Sequence, residues 1–278
     1  MTELRHSEEN TFKKPTIRLI HNLARSGGTL ISKCIGCMNS VALLSEIHPS
    51  AQHAASFNAI KQAQQWLNFD PFYKKHHEST DFVAIIRAIE QHCADQQQTL
   101  VIRDWSHIDY LGVPVTSKPT NTPALINSLN KHFDILNVQL VRNPIDIWLS
   151  TRRLNLIKNT DITTKEFIQA YLHYLQKTRG SYQLIYENFL ADPDKSLKQV
   201  CSALKLNFDQ EYSQKWHTFA QLTGDLSNSS SLRAKATIKP RTPKSRNADE
   251  IREIQSLQSQ PAYEKILELV PEFNCYTM

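Results

Sequence analysis

Short apolar runs alternate along this chain with stretches whose apolar residues recur every three or four positions. Ile17 to Leu23 (IRLIHNL), Val41 to Ile47 (VALLSEI), Thr99 to Arg103 (TLVIR), Ile135 to Val141 (ILNVQLV) and Gln183 to Tyr186 (QLIY) have the length and composition of buried strands. The second run stops at His48-Pro49, because a proline disfavours continuation through the residue before it. Helical spacing follows the first run from Gly27 to Met38. It returns between Ala51 and Gln98, with Phe57, Ile60, Ala63, Trp66 and Leu67 on one face and Phe82, Ile85, Ile86 and Ile89 on another. Further helices are predicted over Pro123 to Phe133 with Thr122 as N-cap, about Ile145 to Leu154, and Thr164 to about Arg179. Asp192-Pro193 should open a helix in which Leu197, Val200, Cys201 and Leu204 repeat on one side. Tyr212 to Leu222 and Ala248 to Leu269, the latter interrupted at Pro261, complete the series.

Strands alternating with helices specify the α/β class: a three-layer, doubly wound, mostly parallel sheet with helical insertions. Ligands of such sheets bind beyond the carboxyl ends of the strands. At 278 residues the chain is read as one domain, 1–278, although its length admits two. Residues 1–15 are expected to be a flexible N-terminus. Residues 223–247, rich in Ser, Asn, Lys and Arg and broken at Gly224, Pro240 and Pro243, are expected to be a mobile basic loop.

Composition narrows the function classes. Hydrophobic residues form 40% and charged residues 21% of the chain, which excludes global disorder. No run reaches the roughly 18 apolar residues that span a bilayer. The polar stretch Met1 to Lys14 does not resemble a secretory signal. Five cysteines without a framework spacing fit a reducing cytoplasm, so a cytoplasmic protein without disulfides is expected. Cys34 and Cys37 form a C-x-x-C with no second pair at a finger-like spacing. They are read as buried thiols, and no metal is expected. The net charge of +5 is concentrated: Arg233, Lys235, Lys239, Arg241, Lys244 and Arg246 share a stretch without an acid. A nucleic-acid contact, an anion-binding lid and a solvated loop all fit that stretch; taken alone it favours the last.

Two motifs carry chemistry. Ala24-Arg25-Ser26-Gly27-Gly28-Thr29 lies between the first strand and the first helix, where backbone N–H groups and the positive helix end can hold a phosphate. The nucleotide-hydrolase pattern G-x-x-x-x-G-K-[ST] cannot be aligned to it, and Lys33 comes too late. That absence argues against ATP hydrolysis or kinase chemistry. In Leu140 to Ser150 (LVRNPIDIWLS), a strand delivers Arg142 at its carboxyl end and Ser150 lies two helical turns on. The two can converge on one phosphate monoester, the guanidinium as a bidentate fork and the hydroxyl as a short donor. An Arg142–Asp146 pair with Ser150 facing water is the alternative.

R-S-G-x-T after the first strand, R-x-P-x-x-x-x-x-S after a later one, and Tyr186-Glu187-Asn188-Phe189-Leu190 followed by Asp192-Pro193 together resemble the sulfotransferase family. The resemblance covers about Ile17 to Leu206. It implies 3′-phosphoadenosine 5′-phosphosulfate (PAPS) as donor and adenosine 3′,5′-bisphosphate (PAP) as product, on a fold with a P-loop-like phosphate-binding loop. By this resemblance Arg25, Ser26, Gly27, Gly28, Thr29 and Leu30 hold the 5′ phosphosulfate, Arg142 and Ser150 hold the 3′ phosphate, and Tyr186 packs beside the nucleotide. The chain looks most similar to the branch that includes tyrosylprotein sulfotransferases and bacterial relatives. That likeness implies Glu46 as general base, with Arg25 and Arg103 at the reacting group; a salt bridge at a strand end is the other reading of Glu46.

The cytosolic small-molecule branch instead uses a loop Lys and a His after the third strand. Here the loop has no Lys and Trp105 stands at the His position, with His107 close enough to remain a candidate. His48 and His107 are otherwise read as structural or exposed. Thr237-Ile238-Lys239-Pro240 resembles a segment that closes over the nucleotide, which implies a contact from Lys239. One of Ser229, Ser230 and Ser231 is a further candidate for the donor. The chain departs from the family at Gly28, where Thr or Ser is usual, leaving Ser26, Thr29 and backbone groups.

Sulfuryl transfer needs an in-line acceptor oxygen, a base for its proton, and cations where charge builds on the leaving phosphate, all of which this set can supply. The expected function is therefore transfer of a sulfuryl group to a hydroxyl or amine acceptor. A non-catalytic nucleotide or nucleic-acid binding protein and a kinase-like phosphotransferase are the alternatives. No nucleic-acid partner or membrane span is expected, and the oligomeric state is left open. A small molecule, carbohydrate, lipid or peptide all fit as acceptor. Trp66, Phe69, Phe72, Tyr73, Trp105 and Tyr110 could line its pocket, although core positions are the preferred reading.

Overall fold

The structure, a computed structural model, describes residues 14–51, 57–71, 81–112, 118–153, 162–178, 182–224, 237–240 and 245–276. Five strands, β1 (Thr16–Asn22), β2 (Val41–Ile47), β3 (Thr99–Asp104), β4 (Asp134–Val141) and β5 (Tyr182–Ile185), form one sheet in the order β2-β3-β1-β4-β5. Every pairing is parallel, with Ile20 opposite Arg103 on one side of β1 and Val138 on the other. The first strand is thus the central one. The chain moves from β1 to the β2 side, then crosses back over β1 to reach β4. The carboxyl end of β1 therefore lies where crossovers diverge, the position at which sheets of this kind take ligands.

Alternation along β1 separates two apolar layers. Ile17 and Leu19 join Leu44 and Ile102 and pack against Ile85, Ile86 and Ile89 of α3 (Phe82–Asp95) and Leu125 and Leu129 of α5 (Ala124–Leu129). Ile20, Leu43 and Val138 face the other way, toward Ile31 and Ile35 of α1 (Gly28–Gly36) and Leu197, Val200, Cys201 and Leu204 of α9 (Pro193–Leu204). Arg18, on this second face, spends its charge on a helix end: its Nε donates to the Leu204 carbonyl at 2.7 Å. A third cluster joins Trp148 of α6 (Pro144–Arg152), Phe167 and Tyr171 of α7 (Thr164–Lys177), Leu257 of α11 (Ala248–Gln258) and Ile266 of α12 (Pro261–Leu269). The remaining helices are α2 (Ala59–Trp66), α4 (His107–Leu111), α8 (Tyr186–Ala191) and α10 (Tyr212–Lys215). None of the described helices is long and apolar enough to cross a membrane.

The five strands lie where the apolar runs predict them, within a residue at each end; β5 ends at Ile185 and Tyr186 opens α8. Asp192 caps α9 as expected, accepting from Lys195 N at 3.0 Å. Pro261 takes the first turn of α12, where its missing N–H costs nothing. Two expectations fail. Thr122 does not cap α5; its hydroxyl donates to Thr120, and Asp109, from α4, accepts from Ala124 N at 3.0 Å in its place. Tyr212 to Leu222 is not one helix: α10 passes into a 3-10 turn at Trp216–Thr218 and Phe219 is extended. The chain must leave the helical path there because Thr223 is tied to β2. Residues 1–13, and 225–236 and 241–244 of the basic loop, fall outside the described residues. Thr223, at the start of that loop, is held in place by bonds described below.

Candidate active site

The loop after β1 is shaped by two left-handed residues. Arg25 has φ 70° and Gly27 has φ 99°, and Ser26, between them, folds inward: its N–H and Oγ both donate to the Leu23 carbonyl, at 3.2 and 2.7 Å. Ser26 is thereby a brace of the loop, with its proton committed. Gly27 is the N-cap of α1 and, among the described residues, no side chain caps the helix, so the first-turn N–H groups lack a side-chain partner there. A methyl group at Gly27 would overlap the ring of Tyr186, and one at Gly28 would overlap the carboxamide of Asn22. The two glycines are thus demanded by different neighbours. Leu30 packs against the apolar layer beneath.

On the β4 side, the Arg142 guanidinium donates to the Arg25 carbonyl at 2.9 Å, lies 5.0 Å over the Tyr186 ring, and meets Asp146 at 3.4 Å. Its Nε is buried without a partner among the described residues. Arg25 Nε donates to Ser150 Oγ at 2.9 Å. Arg25, Arg142, Ser150 and Tyr186 therefore form one cluster, in which the weak contact to Asp146 is one of several. The cluster is fixed from behind: Tyr171 OH donates to the Arg142 carbonyl at 2.7 Å, Asn143 caps α6, and Glu187 accepts from Asn143 N at 3.0 Å. Burial pushes the Glu187 carboxyl up from the ordinary range.

On the other side of β1, β2 departs from regular register between Leu44 and Ile47, and Glu46 takes φ 56°. That kink aims Glu46, only 16% exposed, at Arg103 of β3, itself 1% exposed; Nη2 and Oε1 are 2.6 Å apart. Arg103 also donates to Thr29 Oγ1 at 3.3 Å and to the Thr223 carbonyl at 3.2 Å. Thr223 Oγ1 donates to Glu46 Oε2 at 2.8 Å. Ser45 ties the same residue down, accepting from Thr223 N at 3.1 Å, while Gln62 of α2 bonds both backbone groups of Ser45. A side chain at Gly224 would come within 2.6 Å of Glu46 Oε1, so only a glycine passes there. Thr29 and Arg103 link this cluster to the loop, so both clusters adjoin it.

Histidines populate the same end of the sheet. His107, at the start of α4, lies edge-on to Trp105 with centroids 5.3 Å apart; burial, opposed by Glu46 and Asp104, pushes its pKa down to about 4. It is neutral at neutral pH. His48 is held away from chemistry: Nε2 meets Asp109 at 3.0 Å and Nδ1 accepts from Ser50 N. A buried pair absent from the motif reading joins His21 Nδ1 to Asp104 Oδ2 at 2.6 Å, with Ser106 on the same oxygen at 3.0 Å. Asn22, Ser45, Gln62 and Thr223 also belong to the site region without a motif to mark them. A polar residue closing an otherwise apolar strand, as in His21-Asn22 and Ser45-Glu46, was the available signal.

Lys239 is exposed beside Ile238, which packs against the layer that contains Tyr186. Ser229, Ser230 and Ser231 fall outside the described residues, as do Phe72 and Tyr73. Trp105 and Tyr110 are buried and Phe69 stacks on His92, so these three serve packing. Cys34 is buried and Cys37 half-buried, and burial pushes both thiols up, Cys37 to about 11. Among the described residues no group of three His, Cys, Asp or Glu could hold a metal ion.

No family model matches the chain, and no curated protein matches it by sequence. Among solved structures it is similar to the sulfotransferase domain from the Synechococcus PCC 7002 olefin synthase, at 18% identity and a TM-score of 0.57, covering 92% of this chain and 99% of that one. It is similar as well to the sulfotransferase domain from the curacin biosynthetic pathway, at 18% identity and a TM-score of 0.56, covering 90% and 100%. At that identity the likeness concerns architecture. With its five-stranded parallel sheet flanked by helices, this chain has the sulfotransferase fold.

Proposed function

We propose that the chain is a PAPS-dependent sulfotransferase acting on a hydroxyl acceptor. The observation that carries this reading is the pair of clusters flanking one phosphate loop: Arg25, Arg142 and Ser150 toward β4, and Glu46, Arg103 and Thr29 toward β2. A donor with phosphates at both ends of its ribose needs two such cationic groups. The Arg142 Nε and the first turn of α1, neither with a side-chain partner among the described residues, fit the group to be held. Arg25, bonded to Ser150, strengthens the 3′-phosphate side of the site and is assigned there as well as to the loop. Tyr186, already beneath the Arg142 guanidinium, supplies an aromatic wall for the nucleotide, and Lys239 is assigned to its outer side.

In this reading Glu46 takes the proton from the acceptor oxygen. Its Oε2 already accepts from an aliphatic hydroxyl, that of Thr223, at 2.8 Å, the geometry an acceptor alcohol requires. The new bond joins that oxygen to sulfur while the bond from sulfur to the bridging phosphate oxygen breaks. Arg103 and the α1 N–H groups lie where negative charge then accumulates. His107, neutral by virtue of burial, is the second candidate for the proton.

Calorimetric titration tests the reading. PAP should bind far more tightly than AMP or ATP, because only PAP gives Arg142 and Ser150 a 3′ phosphate. Equal affinities would remove the two-phosphate site, leaving a general nucleotide binder or a kinase-like enzyme.

A further inference from the structure

Asn22, the last residue of β1, belongs to no motif, is only 7% exposed, and with His21 forms the buried polar end of a strand whose other buried positions, Ile17, Leu19 and Ile20, are apolar. Its carboxamide occupies the volume that the missing side chain of Gly28 leaves at the first turn of α1. One N–H of Nδ2 donates to the Leu23 carbonyl at 3.1 Å. Oδ1 is buried and has no partner among the described residues. A buried primary amide with a vacant acceptor and a second N–H is an incomplete hydrogen-bonding group, and such groups are rare away from sites of function. This one lies against an uncapped helix N-terminus, where backbone N–H groups already favour an anion.

We propose that Asn22 is an anion-binding residue of the loop, its amide N–H joining the α1 N–H groups on the 5′ phosphoryl group of the ligand and its Oδ1 accepting from a water carried with it. Asn22 and Gly28 act as one unit: the glycine is needed to admit the amide, and the amide supplies the donor that a hydroxyl at position 28 would otherwise provide. The assignment deepens the sulfotransferase reading only in naming the ligand as PAP; the anion chemistry stands on the loop itself.

The test uses the full chain and two probes, PAP and inorganic pyrophosphate, in calorimetric titrations, with thermal unfolding of each variant as the control for folding. Asn22→Ala should weaken both probes about tenfold, the order expected for losing one hydrogen bond to a charged group. Asn22→Asp, which sets a carboxylate beside the anion, should weaken them further than Asn22→Ala at comparable thermal stability. Gly28→Ser should lose stability and affinity, and Asn22→Ala/Gly28→Ser should recover both relative to Gly28→Ser. Wild-type affinity in Asn22→Ala and Asn22→Asp, or binding of neither probe by the wild type, overturns the proposal. Pyrophosphate binding that depends on Asn22, without any preference for PAP, would retain it and discard the donor reading.

Discussion

Replacing Arg103 by Met removes one partner from the Arg103–Glu46 ion pair while keeping most of the side chain's volume. Arg103 is 1% exposed and Glu46 16% exposed, at 2.6 Å. Breaking a buried pair on one side costs about 3–5 kcal/mol, mainly because the remaining charge is left uncompensated. Partial exposure of Glu46 puts this contribution near the lower end, about 3 kcal/mol. Thr29 Oγ1 and the Thr223 carbonyl each lose a donor as well. Part of that loss is offset by sparing the guanidinium its desolvation, so the net expectation is about 4 kcal/mol. For a chain of this size that corresponds to a drop in Tm of about 10 °C. Urea unfolding at neutral pH of wild type, Arg103→Met, Glu46→Gln and the double variant gives the coupling directly. The double variant should lose at least ~1.5 kcal/mol less than the sum of the single losses, since it leaves no orphaned charge. Additive losses, or a loss under ~1 kcal/mol for Arg103→Met, would refute the view that the pair and Thr223 form one locked unit.

Glu46→Gln should leave PAP binding unchanged and abolish transfer of labelled sulfate to an acceptor; near-normal turnover would move the proton acceptor to His107. Gly27→Ala should lose PAP binding and cost more than ~2 kcal/mol in thermal unfolding, because φ 99° and the Tyr186 ring both exclude a methyl group. Wild-type stability there would mean that the loop relaxes freely. His107, held at about 4 against an ordinary 6.5, resists protonation in the folded chain more than in the unfolded one. Its contribution is therefore complete above pH 6.5 and is lost as pH falls toward 4, by about 3 kcal/mol. His107→Gln should flatten the stability profile across that window, and an unchanged slope would show that other groups carry it.

Strand positions were readable because each buried strand of a parallel sheet is a nearly continuous apolar run, and the motif residues because each stands where such a run stops. The sequence also brought Arg25, Arg142, Ser150 and Tyr186 into one argument, and the fold brings them into one cluster. What it hid depended on contacts between distant segments. Tyr212 to Leu222 has helical spacing, yet Thr223 must reach Ser45, 178 positions away, and that requirement ends the helix early. The cap of α5 comes from Asp109, 15 residues upstream, and outcompetes the local candidate Thr122. His21 and Asp104 are ordinary strand-end residues until β1 and β3 pair side by side. Periodicity registers neighbours in the chain, and these are neighbours only across the sheet.

The strand order has a consequence for how the molecule is made. β1, the first of the described strands in chain order, pairs on one side with β3, which ends at Asp104, and on the other with β4, which ends at Val141. Synthesis must therefore run past Val141 before the central strand has both partners, and until then the loop after β1 hangs from an apolar segment with open edges. Such long-range parallel pairing is slow and leaves the nascent chain prone to association.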